Sequence, residues 1–224
     1  MDLKRARELV YEEKLPQFEQ YCSLLREYNE KINLTAIRTR EDIFQKHFLD
    51  SVLGADLFEE GANCVEIGSG GGFPSLPLKI VRDDLSFTLV ESVGKKCEFL
   101  RQAVDNLGLS RVRVIGDRAE TLARDADFRE TFDAATARAV APLNVLCEYC
   151  LPFVRVGGKM IAYKGEADET KEAARAVTLL GGKTEDVLRI ETDWGTRHLI
   201  IIRKVAHTPA AYPRGNGKER KKPL

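Results

Sequence analysis

Between residues 63 and 202 the apolar positions fall into short runs separated by longer stretches with helical spacing. The runs 63–67, 86–90, 111–115, 132–136 and 159–163 have the length and β-branched or small apolar content of buried strands. After the second run, Val93, Cys97, Leu100, Val104 and Leu107 recur every three or four residues, the period of one helix face, until Gly108 ends it. Strands joined through helices lie parallel with right-handed crossovers. Two last runs, 187–190 and 198–202, are too close for a crossover helix and are predicted to pair antiparallel at one edge. The pattern predicts an α/β chain with a doubly wound, seven-stranded, mostly parallel sheet.

Upstream, residues 2–33 are predicted helical with a break at Pro16, and Phe18, Tyr21, Leu25, Tyr28 and Ile32 mark one apolar face. Thr39, with Asp42 three residues on, approximates a capping box for a further helix. That helix carries Lys46, His47, Asp50 and Ser51, with His47 and Asp50 on one face. The expected organisation is an N-terminal helical extension (1–55), a main domain (56–205) and a tail (206–224). In the tail Arg214, Lys218, Arg220, Lys221 and Lys222 face one acid, Glu219, among Pro and Gly, a composition that predicts mobility.

Composition narrows the classes. At 224 residues, 43% hydrophobic and 31% charged, the chain is of the globular type. Lys+Arg and Asp+Glu both total 35, so a polyanionic partner has to be held by local patches. No apolar run reaches eighteen residues and the first seven, Met1-Asp-Leu-Lys-Arg-Ala-Arg7, carry no leader-like core, which makes the cytoplasm the expected compartment with no membrane partner. The five cysteines form no disulfide framework. Cys147-Glu-Tyr-Cys150 lacks a second pair and a nearby histidine, so buried thiols are expected and no metal site.

The stretch Val65-Glu-Ile-Gly-Ser-Gly-Gly-Gly-Phe-Pro74 carries the first chemical signal. Glycine permits a tight turn and lets a ligand lie against peptide N–H groups. A dinucleotide fingerprint needs a third glycine where Phe73 stands, which ranks an NAD enzyme last. Gly68, Gly70 and Gly72, with Glu66 two positions upstream, instead resemble motif I of the S-adenosylmethionine-dependent methyltransferases. Ligands of open parallel sheets bind beyond the strand carboxyl ends, where Gly68, Glu91, Glu120, Arg138 and Lys164 fall. Glu91 lies at the spacing of a ribose-binding acid, with an exposed strand-end charge as the plain alternative. Ala119-Glu120 offers an apolar contact and an acceptor near an adenine ring, or a helix cap. Arg138, among alanines, needs a partner: a ligand carboxylate, a phosphate, or an acid such as Glu66. Lys164 and Arg197 are further strand-end cations.

Across nearly its whole length the chain resembles the bacterial small-subunit ribosomal RNA guanine-N7 methyltransferases, the glucose-inhibited division protein B family. The matching stretches are Asn33-Leu-Thr-Ala-Ile37, Lys46-His-Phe-Leu-Asp-Ser51, Ile67-Gly-Ser-Gly-Gly-Gly-Phe-Pro74, Ser92-Val-Gly-Lys-Lys96, Ser110-Arg-Val112 through Ala119-Glu120, Ala137-Arg-Ala139, Tyr163-Lys-Gly165, Arg197-His-Leu199, Tyr212-Pro-Arg214 and the Lys-Pro-Leu ending. Ser75 and Glu91 depart from it, where glycine and aspartate are common. The resemblance implies a class I methyltransferase fold and S-adenosylmethionine binding by Gly68, Gly70, Gly72, Phe73, Glu91, Ser92, Ala119, Glu120 and Arg138, with S-adenosylhomocysteine as product. It further implies N7 of one guanine in the 530-loop of 16S rRNA as acceptor, within the small ribosomal subunit or its precursor. Guanine N7 has a free lone pair and no proton, so no acid–base residue is assigned. His47, Arg138, Lys164 and Arg197 are the candidate substrate-binding residues, and Arg38, Arg40, Lys46, Lys95, Lys96 and the tail the candidate RNA surface. A methyltransferase with a small-molecule or protein substrate, and a non-catalytic RNA-binding assembly factor, stay open as alternatives.

Overall fold

The structure, a computed structural model, describes residues 1–224. The chain opens with α1 (Leu3–Glu8), π-helical turns over Leu9–Glu13, and α2 (Leu15–Asn29). The break falls at Lys14, and Pro16 sits in the first turn of α2, where its missing N–H has no intrahelical role. Thr39 caps α3 (Arg40–Ile43) by accepting from the Asp42 N–H at 3.2 Å. A π-helical segment, Phe44–Leu49, then leads into α4 (Asp50–Val52).

The alternating part follows as β1 (Asn63–Ile67), α5 (Ser75–Val81), β2 (Ser86–Val90), α6 (Gly94–Asn106), β3 (Val112–Ile115), α7 (Ala119–Leu122), β4 (Phe132–Arg138), α8 (Leu143–Cys150), β5 (Val154–Lys164), α9 (Thr170–Leu179), β6 (Gly182–Thr192) and β7 (Gly195–Lys204). The strands form one sheet in the order β3-β2-β1-β4-β5-β7-β6. The first five run parallel, and β7 is antiparallel to both β5 and β6. The mostly parallel sheet with an antiparallel edge pair is the one the hydrophobic pattern predicts. Several elements are longer than predicted: β4 runs on to Arg138, and β5 contains Gly157 and Gly158 rather than starting after them. A Cβ at Gly158 would lie 2.6 Å from the Asp133 carbonyl oxygen, so only glycine fits beside the register shift in β4. Val93 also departs from the predicted apolar face; it precedes α6 and is 46% exposed.

Alternation along the strands divides the core between the two sheet faces. Cys64, Ala134, Ile161 and Leu199 join the N-terminal helices, α5 and α6 in one cluster of 32 buried residues. Val65, Ala135, Ala162 and Ile200 join α8 and α9 in the other, of 25. The N-terminal helices are therefore part of the core. Phe18, Tyr21, Phe44 and Phe48 are fully buried there.

The tail differs most from expectation. In place of a mobile segment, the structure packs it against the domain through Arg214, which pairs with the buried Glu148 at 2.6 Å, and ends in α10 (Lys218–Lys221). Burial explains the capture: a carboxylate as enclosed as Glu148 needs a cation, and α8 supplies none.

Candidate functional site

The strand order reverses between β1 and β4, and a cavity of about 1050 Å³ opens at the carboxyl ends there. Its floor is made by Ile67 and Gly68 at the end of β1, Val90, Glu91 and Ser92 at the end of β2, and Asp117–Thr121 around the start of α7. Val140 after β4 and Tyr149 of α8 continue the wall. Of the residues predicted to bind the cofactor, Gly68, Glu91, Ser92, Ala119 and Glu120 face this one cavity. Gly70, Gly72, Phe73 and Arg138 do not line it.

The glycine loop explains the division. Gly68 has φ +70° and a Cβ there would come within 2.8 Å of the Val140 side chain, so the residue is fixed both by conformation and by the wall it touches. Gly70 and Gly72 also take positive φ, and Gly72 lies tightly against Leu76 and Tyr21. These two shape the turn. Glu91 then holds it from below: one carboxylate oxygen accepts from the Gly70 N–H at 3.0 Å, and the other from the Val93 N–H at 2.8 Å. Each oxygen keeps a further acceptor position, which two vicinal hydroxyls could fill. The Tyr21 hydroxyl donates to the Gly71 carbonyl, tying the N-terminal extension to the same loop.

Beside the cavity lies a buried knot of charge. Asp50 receives Arg138 Nη1 on one oxygen at 2.9 Å and Arg197 Nε on the other at 2.8 Å. Arg138 Nη1 also donates to the Lys46 carbonyl at 3.0 Å, and Nη2 to His47 Nδ1 at 2.6 Å. A guanidinium is always a donor, so His47 Nδ1 accepts and the ring proton sits on Nε2, directed at the Thr35 hydroxyl 2.8 Å away. Burial and the Arg138 charge push the imidazole down to about 3, leaving it neutral. The His47 ring stacks on Phe73 at 4.3 Å, and the Arg138 guanidinium lies over the same Phe73 ring, 4.9 Å from its centroid. Sequence reasoning offered Glu66 as partner for Arg138; the structure gives it Asp50 instead. Glu66 lies fully buried with neither oxygen hydrogen-bonded, and burial pushes its carboxyl up to about 8.

His47, Arg138 and Arg197 are thus brought together, but with their polar groups turned to one another. Lys164 does a related job at the end of β5. Its Nζ pairs with Glu169 at 2.7 Å and donates to the Ala141 carbonyl at 3.1 Å, while Glu169 also accepts from the Leu143 N–H at 2.6 Å. The loop from Ala139 to Pro142 is held by these contacts. Among the cations proposed for RNA, Arg40 is bound to Glu19 and Lys46 to Asp42, whereas Arg38 and Lys95 are exposed without an ion pair. The sequence reading missed Arg118, Arg124, Val140 and the tail residues Arg214–Gly217 and Arg220 as cavity walls. For the tail a signal existed in Tyr212-Pro-Arg214. No group of three or more His, Cys, Asp or Glu is arranged to hold a metal, and no helix is long and apolar enough to cross a membrane.

Comparison with known proteins adds to this geometry. The profile of the family described as GidB, rRNA small subunit methyltransferase G, matches residues 14–200. The chain is 48% identical to the ribosomal RNA small subunit methyltransferase G of Moorella thermoacetica, over 95% of this chain and 91% of that one. It is 44% identical to the protein of the same name from Lactobacillus johnsonii, over 95% and 92%. Among solved structures it resembles M. jannaschii TYW2 in complex with AdoMet, with a TM-score of 0.54, 15% identity, and coverage of 68% of this chain and 72% of that one. That likeness is one of fold.

Proposed function

From the premise that the chain belongs to the GidB family, rRNA small subunit methyltransferase G, we propose that it methylates N7 of a single guanine in the 530-loop of 16S rRNA, within the small ribosomal subunit or its precursor. When bound, S-adenosylmethionine supplies a methyl group activated by its sulfonium. The observation that carries the reading is the cavity at the topological switch point, in which the Gly68 loop and Glu91 face Ala119 and Glu120. At about 1050 Å³ it exceeds most small-ligand pockets, which span roughly 300–1,000 Å³, and has room for an acceptor base beside a cofactor.

In this reading Glu91 would orient the ribose of the cofactor, and Ser92, Ala119 and Glu120 would hold its adenine end. Gly70, Gly72 and Phe73 set the loop's shape. Arg138, His47 and Arg197 support the site from behind, and Lys164 fixes the carbonyl of Ala141 in the loop after β4. His47 is neutral with both ring nitrogens engaged, so it exchanges no proton with a substrate. N7 has none to give. The cavity residues Gly68, Glu91, Ala119 and Glu120 would hold the cofactor, which would supply the activated methyl group, and the chain's own contribution would be to orient the acceptor lone pair, an effect of about 7–11 kcal/mol at best. The base reaches the cavity from an exposed loop or by leaving its stack.

The test is to incubate small subunits from a strain lacking this protein with the protein and S-adenosylmethionine, and to map the modified nucleotide by mass spectrometry. One N7-methylguanine in the 530-loop is expected. Methylation at another base, or none on any ribosomal substrate, would refute the assignment.

A further inference from the structure

The C-terminal segment shares the cavity with the glycine loop. Arg214, Gly215, Asn216, Gly217 and Arg220 supply one of its walls. Three anchors keep them there. Glu148 of α8, 1% exposed, receives the Arg214 backbone N–H at 2.8 Å, Nε at 2.9 Å and Nη2 at 2.6 Å. Arg124, just past α7, donates to the carbonyls of Ala211 and Pro213. Glu219, fully buried, accepts from the Gly215 N–H. A buried carboxylate without a cation is strongly unfavourable, so Glu148 is in effect a socket for this one arginine.

Between these anchors the backbone turns left-handed at three successive residues, Gly215 at φ +74°, Asn216 at +58° and Gly217 at +71°. Glycine and asparagine are the residues that adopt this conformation at little cost. The turn lines the same cavity as Ala119, Glu120, Thr121 and Tyr149. It brings the Asn216 carboxamide, able both to donate and to accept, and several peptide groups to the cavity. At the other end of the segment Arg220 donates to the Val140 carbonyl at 3.3 Å, next to the Ala141 carbonyl held by Lys164. The segment therefore spans from the α7 side of the cavity to the loop after β4.

We infer that Pro213–Arg220 is a strap belonging to the cofactor site, held by the Arg214–Glu148 pair, which retains the adenosyl half of S-adenosylmethionine. The inference rests on the reading that this cavity takes that cofactor. The basic tail then serves methyl-donor binding first, and Arg214 is a positioning residue whose charge is already matched within the protein.

Calorimetric titration of S-adenosylmethionine and S-adenosylhomocysteine into the full chain, a chain ending at Tyr212, Arg214→Ala and Asn216→Ala/Arg220→Ala separates the cases. The truncation and Arg214→Ala should raise Kd at least tenfold, and the double variant, which leaves Glu148 paired, three- to tenfold. Amide exchange at 213–220 in the full chain should slow when either ligand is added. Should the truncated chain fail to fold, the double variant decides. Unchanged Kd with unchanged exchange, or a loss confined to rRNA affinity, overturns the strap. Failure of the full chain to bind either ligand refutes the cofactor reading itself, before the strap is at issue.

Discussion

Two groups of charged residues lie at the same end of the sheet, and their hydrogen-bonding groups are engaged differently. Around Asp50 both carboxylate oxygens and both guanidiniums are turned inward, to one another and to the Lys46 and Trp194 carbonyls. Around the cavity, Glu91 accepts one N–H on each oxygen and has acceptor capacity left, while Arg118 and Glu120 face the opening. A charge that meets its partners inside the protein builds the wall; a charge with free capacity facing a cavity is available to a ligand. Position at a strand end does not distinguish the two.

The comparison breaks most visibly at Asp50. Asp50→Ala leaves two largely buried guanidiniums without their shared acid, and removing one partner of such a set costs about 3–5 kcal/mol. Urea unfolding should register that loss, and a change below about 1 kcal/mol would show that the knot is not structural.

Glu66, beneath the loop between the two groups, gives a pH-dependent version. Its carboxyl is raised from an ordinary 4.5 to about 8 by burial, so the folded protein keeps the proton and the unfolded chain releases it above 4.5. This contribution is complete below about 4.5 and is lost as pH rises through 8. Glu66→Gln does not titrate and should gain on the wild type progressively across that window, by an amount of a few kcal/mol read from unfolding midpoints; parallel pH profiles would contradict it. His47 acts oppositely. Held down to about 3 against an ordinary 6.5, it withdraws stability as pH falls from 6.5 towards 3.

Glu91→Gln addresses the rim alone. It keeps one acceptor and sets an amide NH₂ against the second N–H, so S-adenosylmethionine affinity should fall about tenfold, or about 1.4 kcal/mol, while the Asp50 knot stays intact. Equal affinity in calorimetry would remove Glu91 from the ribose. The smallest effect distinguishes exposed cations. Lys95→Ala should lower the salt slope of rRNA binding by about 1, and Arg40→Ala, already bound to Glu19, by less than half as much. Equal slopes would mean that internal pairing does not decide which cations reach phosphate.

Much of the fold was legible beforehand because strands and helices leave periods of about 2 and 3.6 residues in the apolar pattern. β1 and β2 match their predicted bounds, and the edge pair follows from a connection too short for a helix. The added stretches of β5 and β6 were hidden, because exposed positions such as Arg155, Glu185 and Arg189 carry no apolar signal. In the site, Gly68 and Glu91 could be read from local spacing. The partner of Arg138 could not, since Glu66 and Asp50 are equally acidic and only the fold brings Asp50 within reach from 88 positions away.

The sequence by itself determined the order of elements, the tight turn of the Gly68–Gly72 loop, and the class of methyl donor suggested by Gly68, Gly70, Gly72 and Glu91. These are properties of neighbouring residues, set by sterics and periodicity. The tertiary structure alone decided which charges are satisfied internally and which face the cavity. That holds for Arg138 and Arg197 on Asp50, and for Arg214 of the supposedly mobile tail on Glu148, 66 positions earlier. A charge's role depends on its burial and on what lies within about 4 Å, and neither is a local property of the chain.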